Sequence, residues 1–208
     1  MFNFSKPYEF GLLIIFLIIW IYLLSVLKRK KLSAFFFMLG TTGTFLIAFS
    51  VFKSLLAKIF TKILCFILEY ISHILPWYTM YKDYNIIFID HNDAAISLFI
   101  DYECSGVIEI LVITSIIAFF PLFNAKEKIF YSFIGFIYTM FANIIRLIAI
   151  TGIIYRYGNN IYYLAHSIVG RIIFYILTLF LYFYILSFKQ IKAQKVGKFN
   201  FSNSDKKE

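Results

Sequence analysis

The chain has 208 residues, of which 62% are hydrophobic, 22% aromatic and only 15% charged. Soluble domains run nearer half apolar and a quarter charged, so a water-facing globule is excluded and a membrane-embedded chain is implied. The net charge of +9 comes mostly from short clusters between apolar runs, which excludes a nucleic-acid footprint and suits loops beside anionic headgroups.

The first apolar run, Tyr8 to Leu27, exceeds a signal-peptide core and ends in no small-residue cleavage site, so it is expected to remain as a span. Lys28-Arg29-Lys30-Lys31 follows as a basic loop, and a second span is expected over Leu32–Phe52. Ser54–Leu75 is apolar but interrupted by Lys58, Lys62, Glu69 and His73, the pattern of an interfacial amphipathic helix; a sixth span is the alternative. From Pro76 the chain changes character. Asn85–Asp90 and Ala95–Tyr102 are short, β-branched and aromatic, and His91-Asn92-Asp93 between them predicts the turn of a small external β-hairpin.

Three further spans are expected over Val107–Phe123, Ile129–Tyr155 and Ile161–Phe188, with a basic loop at Asn124–Lys128. A tail carrying Lys189, Lys192, Lys195 and Lys198 follows, and residues 189–208 read as a disordered cytoplasmic segment. The positive-inside rule places all three basic segments in the cytoplasm and, with them, the N-terminus and the segment before Cys104 outside. The fold class expected is therefore an all-α polytopic membrane protein. It has five transmembrane helices, or six if residues 54–75 cross, an interfacial helix and a short external hairpin. Residues 1–188 form one membrane domain, with a core at 85–188.

Ionisable residues inside spans are costly and mark function. Three segments carry them: Glu103-Cys104-Ser105-Gly106 with Glu109, Asn143-Ile-Ile-Arg146, and His166-Ser-Ile-Val-Gly170-Arg171. Topology from the basic loops alone brings all three to one depth of the outer leaflet. A thiol at a helix N-terminus beside a cation is activated as a nucleophile, which suits Cys104 and Arg146. His166 could act as general base or acid, and Arg146 could stabilise an oxyanion. Glu103 opposes a thiolate, so it either points away or pairs with Arg156 or Arg171. The competing reading is a scaffold or transporter subunit in which Glu109, Arg146 and Arg171 form a buried ion-pair network. Cys65 reads as structural, His73 and His91 as polar caps, and Asn143 as interhelical glue. The two cysteines show no CxxC or Cys/His spacing, so neither a zinc site nor a disulfide scaffold is expected.

Cys-Ser-Gly at 104–106, Asn143-x-x-Arg146 and His166 with Gly170, in that order, resemble the exosortase/archaeosortase family of polytopic membrane transpeptidases. The resemblance covers about Asn85 to Phe188, and the chain is similar to the small members from Gram-positive bacteria. It implies an enzyme that cleaves a C-terminal sorting signal made of a short motif, a transmembrane helix and a basic cytoplasmic end. Cys104 would form a thioester, with Arg146 as electrostatic stabiliser and His166 as acid/base. An acceptor amine or lipid would then take the acyl group. That chemistry implies neither metal nor organic cofactor, and no nucleic-acid partner. An acyltransferase or protein–lipid ligase would keep the thioester and change the reaction.

Overall fold

The computed structural model describes residues 7–91, 94–101, 104–187 and 191. The calls for Glu103, the turn residues Asn92 and Asp93, and the 189–208 tail apart from Ile191 lie outside them. The first helix, α1 (Pro7–Arg29), is apolar around its whole circumference, and Ile15, Ile18, Ile19 and Tyr22 stand exposed. A helix apolar on every face belongs in lipid. Lys28 and Arg29 close its last turn, where cations oppose the helix dipole favourably.

The second helix, α2, runs unbroken from Ser33 to Ser72, about 60 Å at 1.5 Å per residue. Ser54–Leu75 is thus not a separate interfacial helix. No Gly or Pro falls between Gly43 and Pro76 to break the ladder. The charges that suggested an interface are accommodated on one exposed side: Lys58 and Lys62 are exposed, whereas Phe60, Leu64, Cys65 and Leu68 are buried. His73 is the C-cap of α2, the cap expected of it.

The external hairpin forms as β2 (Ile86–His91) against β3 (Ala94–Phe99), in antiparallel register from Ile86↔Phe99 to His91↔Ala94. A strand not foreseen, β1 (Thr79–Tyr81), adds to β2 with Thr79 opposite Phe88 and makes a three-stranded sheet. Alternation buries Ile87, Ile89, Ile96 and Leu98 on one face. That face joins one core with Cys65 and Leu68 of α2, Leu147, Ile150 and Ile154 further on, and Cys104 and Ala165. Tyr78 ties the sheet to α2 by donating its hydroxyl to the Leu68 carbonyl at 2.8 Å. Burial pushes this phenol up to about 12, so it stays a donor at any physiological pH.

The expected span Val107–Phe123 is shorter than predicted: α3 covers Val107–Phe119, only about 20 Å. The expected loop Asn124–Lys128 is instead the start of α4 (Ala125–Tyr157). Its N-cap Asn124 has its backbone N–H taken up by the Glu127 carboxylate at 2.9 Å, a capping pair. The last apolar run comprises a π-turn over Leu164–Val169, α5 (Gly170–Tyr182) and a second π-turn over Phe183–Ser187. Among the described residues, four helical segments are long and apolar enough to cross a membrane: Gly11–Arg29, Ser33–Ser72, Ala125–Tyr157 and Leu164–Ser187. This is a mostly helical, membrane-embedded protein with a small sheet.

Packing gathers the basic turns at one end of the bundle. Phe36 and Phe37, at the start of α2, meet Phe119 and Phe120 at ring separations of 5.7 and 6.2 Å. Lys128 donates to the Ala118 carbonyl. Lys28–Lys31 and Lys126–Lys128 therefore lie close together, and the sheet caps the opposite end.

Candidate active site

From β3 the chain passes through buried Ile100 to Asp101, whose Oδ1 accepts the Cys104 N–H at 3.2 Å. Cys104-Ser105-Gly106 is the turn into α3. Gly106 is its N-cap at φ 77°, a left-handed conformation that costs a residue with a Cβ and accounts for glycine at the third position. Cys104 thus lies two residues before the N-cap, at the positive end of α3 but outside its first turn, which weakens the expected dipole effect. Ser105 is fully buried in the same turn.

From α4, Asn143 donates its Nδ2 to the Cys104 carbonyl at 2.5 Å and is fully buried. It fastens the cysteine turn to α4, about 27 Å along that helix from Ala125. One turn later, Arg146 is 7% exposed, with its guanidinium 5.7 Å from the centre of the Phe174 ring. The contact is a cation–π pair that also fixes the side chain's direction. His166 sits in the π-turn. Such turns are rare and recur at functional sites, because they rotate side chains out of α-helical register.

Cys104, Glu109, Arg146, His166 and Arg171 line one cavity of about 180 Å³, closed on one side by Phe174. The three segments singled out in the sequence do converge. Among the described residues no ion pair joins Glu109 to Arg146 or Arg171, so the ion-pair network of the scaffold reading does not form. Instead Glu109 Oε2, Arg146 Nε and Asn143 Oδ1 are buried with no partner among the described residues. Buried polar groups are normally satisfied, and three such atoms on residues in and beside one cavity mark a place built to receive something polar.

Gly170 explains how the last span comes this close to α4. A Cβ there would fall 2.6 Å from Ile150 Cδ1 and 3.2 Å from the Ala165 carbonyl. Gly170→Ala should therefore destabilise the protein by ~1–3 kcal/mol. Adding Ile150→Val, which deletes the clashing Cδ1, should recover part of it. Thermal unfolding in detergent checks both, and no recovery would contradict this packing.

Sequence reasoning missed Tyr162 and Asp101. Tyr162 stacks on His166 at 5.9 Å and 22° between ring planes, and packs against the core that includes Cys104. Burial, and secondarily the charge of a Cys104 thiolate, holds its phenol above the ordinary tyrosine range. It is one of 16 tyrosines and has no distinguishing sequence signal. Asp101 carried one: a short acid at the head of a turn accepts a backbone N–H a few residues on, here that of Cys104. Tyr162→Ala should lower turnover roughly tenfold, the worth of an aromatic stack, while Tyr162→Phe keeps the ring and most of the rate. Equal loss in both variants would show that the hydroxyl, not the stack, matters.

A family model described as transmembrane exosortase matches residues 3–184, well beyond the stretch that carried the motifs. Neither a curated protein nor a solved structure matches the chain.

Proposed function

The chain belongs to the transmembrane exosortase family, and on that premise we propose that it is a cysteine transpeptidase. It works at the outer face of the plasma membrane on secreted proteins held there by a C-terminal sorting signal. The observation that carries this reading is the convergence of Cys104, Arg146 and His166 on one cavity. Orientation follows from the shared end of the two basic turns, which the positive-inside rule puts in the cytoplasm. Asn143 and the cysteine turn then lie about 27 Å away, near the far edge of a hydrocarbon layer of about 30 Å. The N-terminus and the sheet are outside, the 189–208 tail inside, and residues 1–188 act as one domain with α3 as the short fifth crossing.

The chemistry runs in two steps. The Cys104 thiolate attacks the scissile carbonyl, and Arg146 stabilises the oxyanion that forms. The C–N bond breaks, the amine departs with a proton from the His166 imidazolium, and the acyl group stays on sulfur as a thioester. An acceptor amine or hydroxyl, deprotonated by His166, then attacks the thioester; the C–S bond breaks and the thiolate returns. Asn143 and Asp101 hold the nucleophile's backbone, Gly106 supplies the left-handed turn into α3, and Gly170 permits the close approach of the last span to α4.

The test is co-expression with a tagged secreted protein ending in a short motif, an apolar helix and a basic end. The reading predicts release of the C-terminal helix and a faster-migrating surface form. A substrate left at full length for every such signal found beside the gene or in the same proteome would overturn it.

A further inference from the structure

A second cavity, of about 760 Å³, lies between the outward half of α2 and the segments at the edges of the sheet, and Asp101 is in its lining. Lys58 and Lys62 of α2 line it with Lys82, Asp83, Asn85 and Asp101. Lys82 is paired with Glu69 at 3.1 Å. Asp101 directs Oδ1 to the Cys104 amide. Lys58 and Lys62 make no ion pair among the described residues. Lys58 and Lys62 thus face, without a direct ion pair among the described residues, a roomy cavity whose lining also carries Asp83 and Asp101, at the end of the bundle where the positive-inside rule does not call for lysines.

Their depth and surroundings indicate what they face. Lys58 and Lys62 lie about 38 and 44 Å along α2 from Ser33, beyond the hydrocarbon and within the headgroup layer of a bilayer. Beside them runs an exposed apolar stripe of Leu55, Ile59, Ile63 and Phe66, at helical spacing and continuous with the membrane-crossing part of α2. A helix with acyl-chain-seeking residues on one stripe and lysines on the next lies at a lipid interface, its ammonium groups reaching the phosphates.

We infer that the cavity lined by Lys58, Lys62 and Lys82 is a binding site for the phosphate-bearing headgroup of an anionic lipid of the outer leaflet, placed against the cysteine turn through Asp101. The inference takes its orientation from the function proposed above. The headgroup phosphate sits between Lys58 and Lys62, and its acyl chains follow the Leu55–Phe66 stripe. Asp101 belongs to both the cavity wall and the Cys104 amide, so lipid occupancy and nucleophile position are linked.

The test uses the full chain purified from vesicles of phosphatidylcholine containing phosphatidylglycerol, with retained lipid weighed by native mass spectrometry. Phosphatidylglycerol should be retained over phosphatidylcholine. The double variant K58Q/K62Q should reduce that retention roughly tenfold or more, because each lysine near an anionic surface contributes separately. The control K28Q/K30Q, at the other end of the bundle, should not. Both lysines of the test pair are exposed, so folding is not at stake. Cys104→Ala should retain lipid like the wild type, which separates this result from that of the proposed enzyme activity. Equal retention of the two lipids, or retention indifferent to K58Q/K62Q, would overturn the inference. So would lysine-dependent binding of inorganic phosphate or an acidic peptide without any retained phosphatidylglycerol.

Discussion

Cys104→Ala is expected to abolish processing of a membrane-anchored substrate, with a rate loss of at least roughly 10⁴-fold, as when any covalent nucleophile is removed. The methyl group fits where the thiol was, since Cys104 packs as a buried side chain within the sheet–α2–α4 core. The variant should insert and fold normally. Cys65→Ala is the matched control: that thiol is also buried, 3.5 Å from Asn85 Oδ1, but lies outside the cavity that holds Arg146 and His166. Pulse-chase of the tagged substrate should show full-length protein persisting with the first variant and ordinary cleavage with the second. A scaffold would tolerate both.

The second large effect is at Arg146. Arg146→Gln should lower turnover by roughly 10²–10³-fold, the loss seen when one preorganised oxyanion donor is removed. Arg146→Lys should recover little of it. An ammonium lacks the planar fork, cannot lie over Phe174 as the guanidinium does at 5.7 Å, and has no counterpart to the buried Nε. The comparison needs turnover at saturating substrate, because stabilisation of a transition state acts on kcat. An effect confined to KM would assign Arg146 to substrate binding. Near-normal activity in Arg146→Lys would leave it a point charge rather than a donor pair.

What could be read from the sequence divides by the kind of signal each feature leaves. Cys104, Arg146 and His166 were legible because ionisable groups within or bordering apolar runs are conspicuous, and their common depth followed from where the basic clusters lie. The fold places all three on one cavity, with Asn143 holding the cysteine turn. The β2–β3 hairpin was legible from alternation, but β1 was not, since Thr79–Tyr81 is too short to show a period and is made a strand by its pairing.

The expected break after Phe52 failed for a physical reason. Lys58, Lys62 and Glu69 lower hydropathy without disturbing helix formation, and with no Gly or Pro present the backbone simply continues. The expected loop at Asn124–Lys128 failed because its charges outweighed a legible capping pair, Asn124 with Glu127. The π-turn around His166 leaves no sequence mark at all. Neither does Tyr162, whose importance lies in stacking on one histidine rather than in its own chemistry.

In the proposed mechanism Cys104 carries the acyl group. A substrate with its sorting signal intact, incubated with His166→Gln to slow both proton transfers, should accumulate an adduct on the enzyme. Intact-mass measurement followed by digestion should locate the adduct on the peptide containing Cys104. Hydroxylamine should release it, as it does a thioester. An adduct that resists hydroxylamine or maps to Cys65, or cleaved substrate accumulating with Cys104→Ala, would contradict the account.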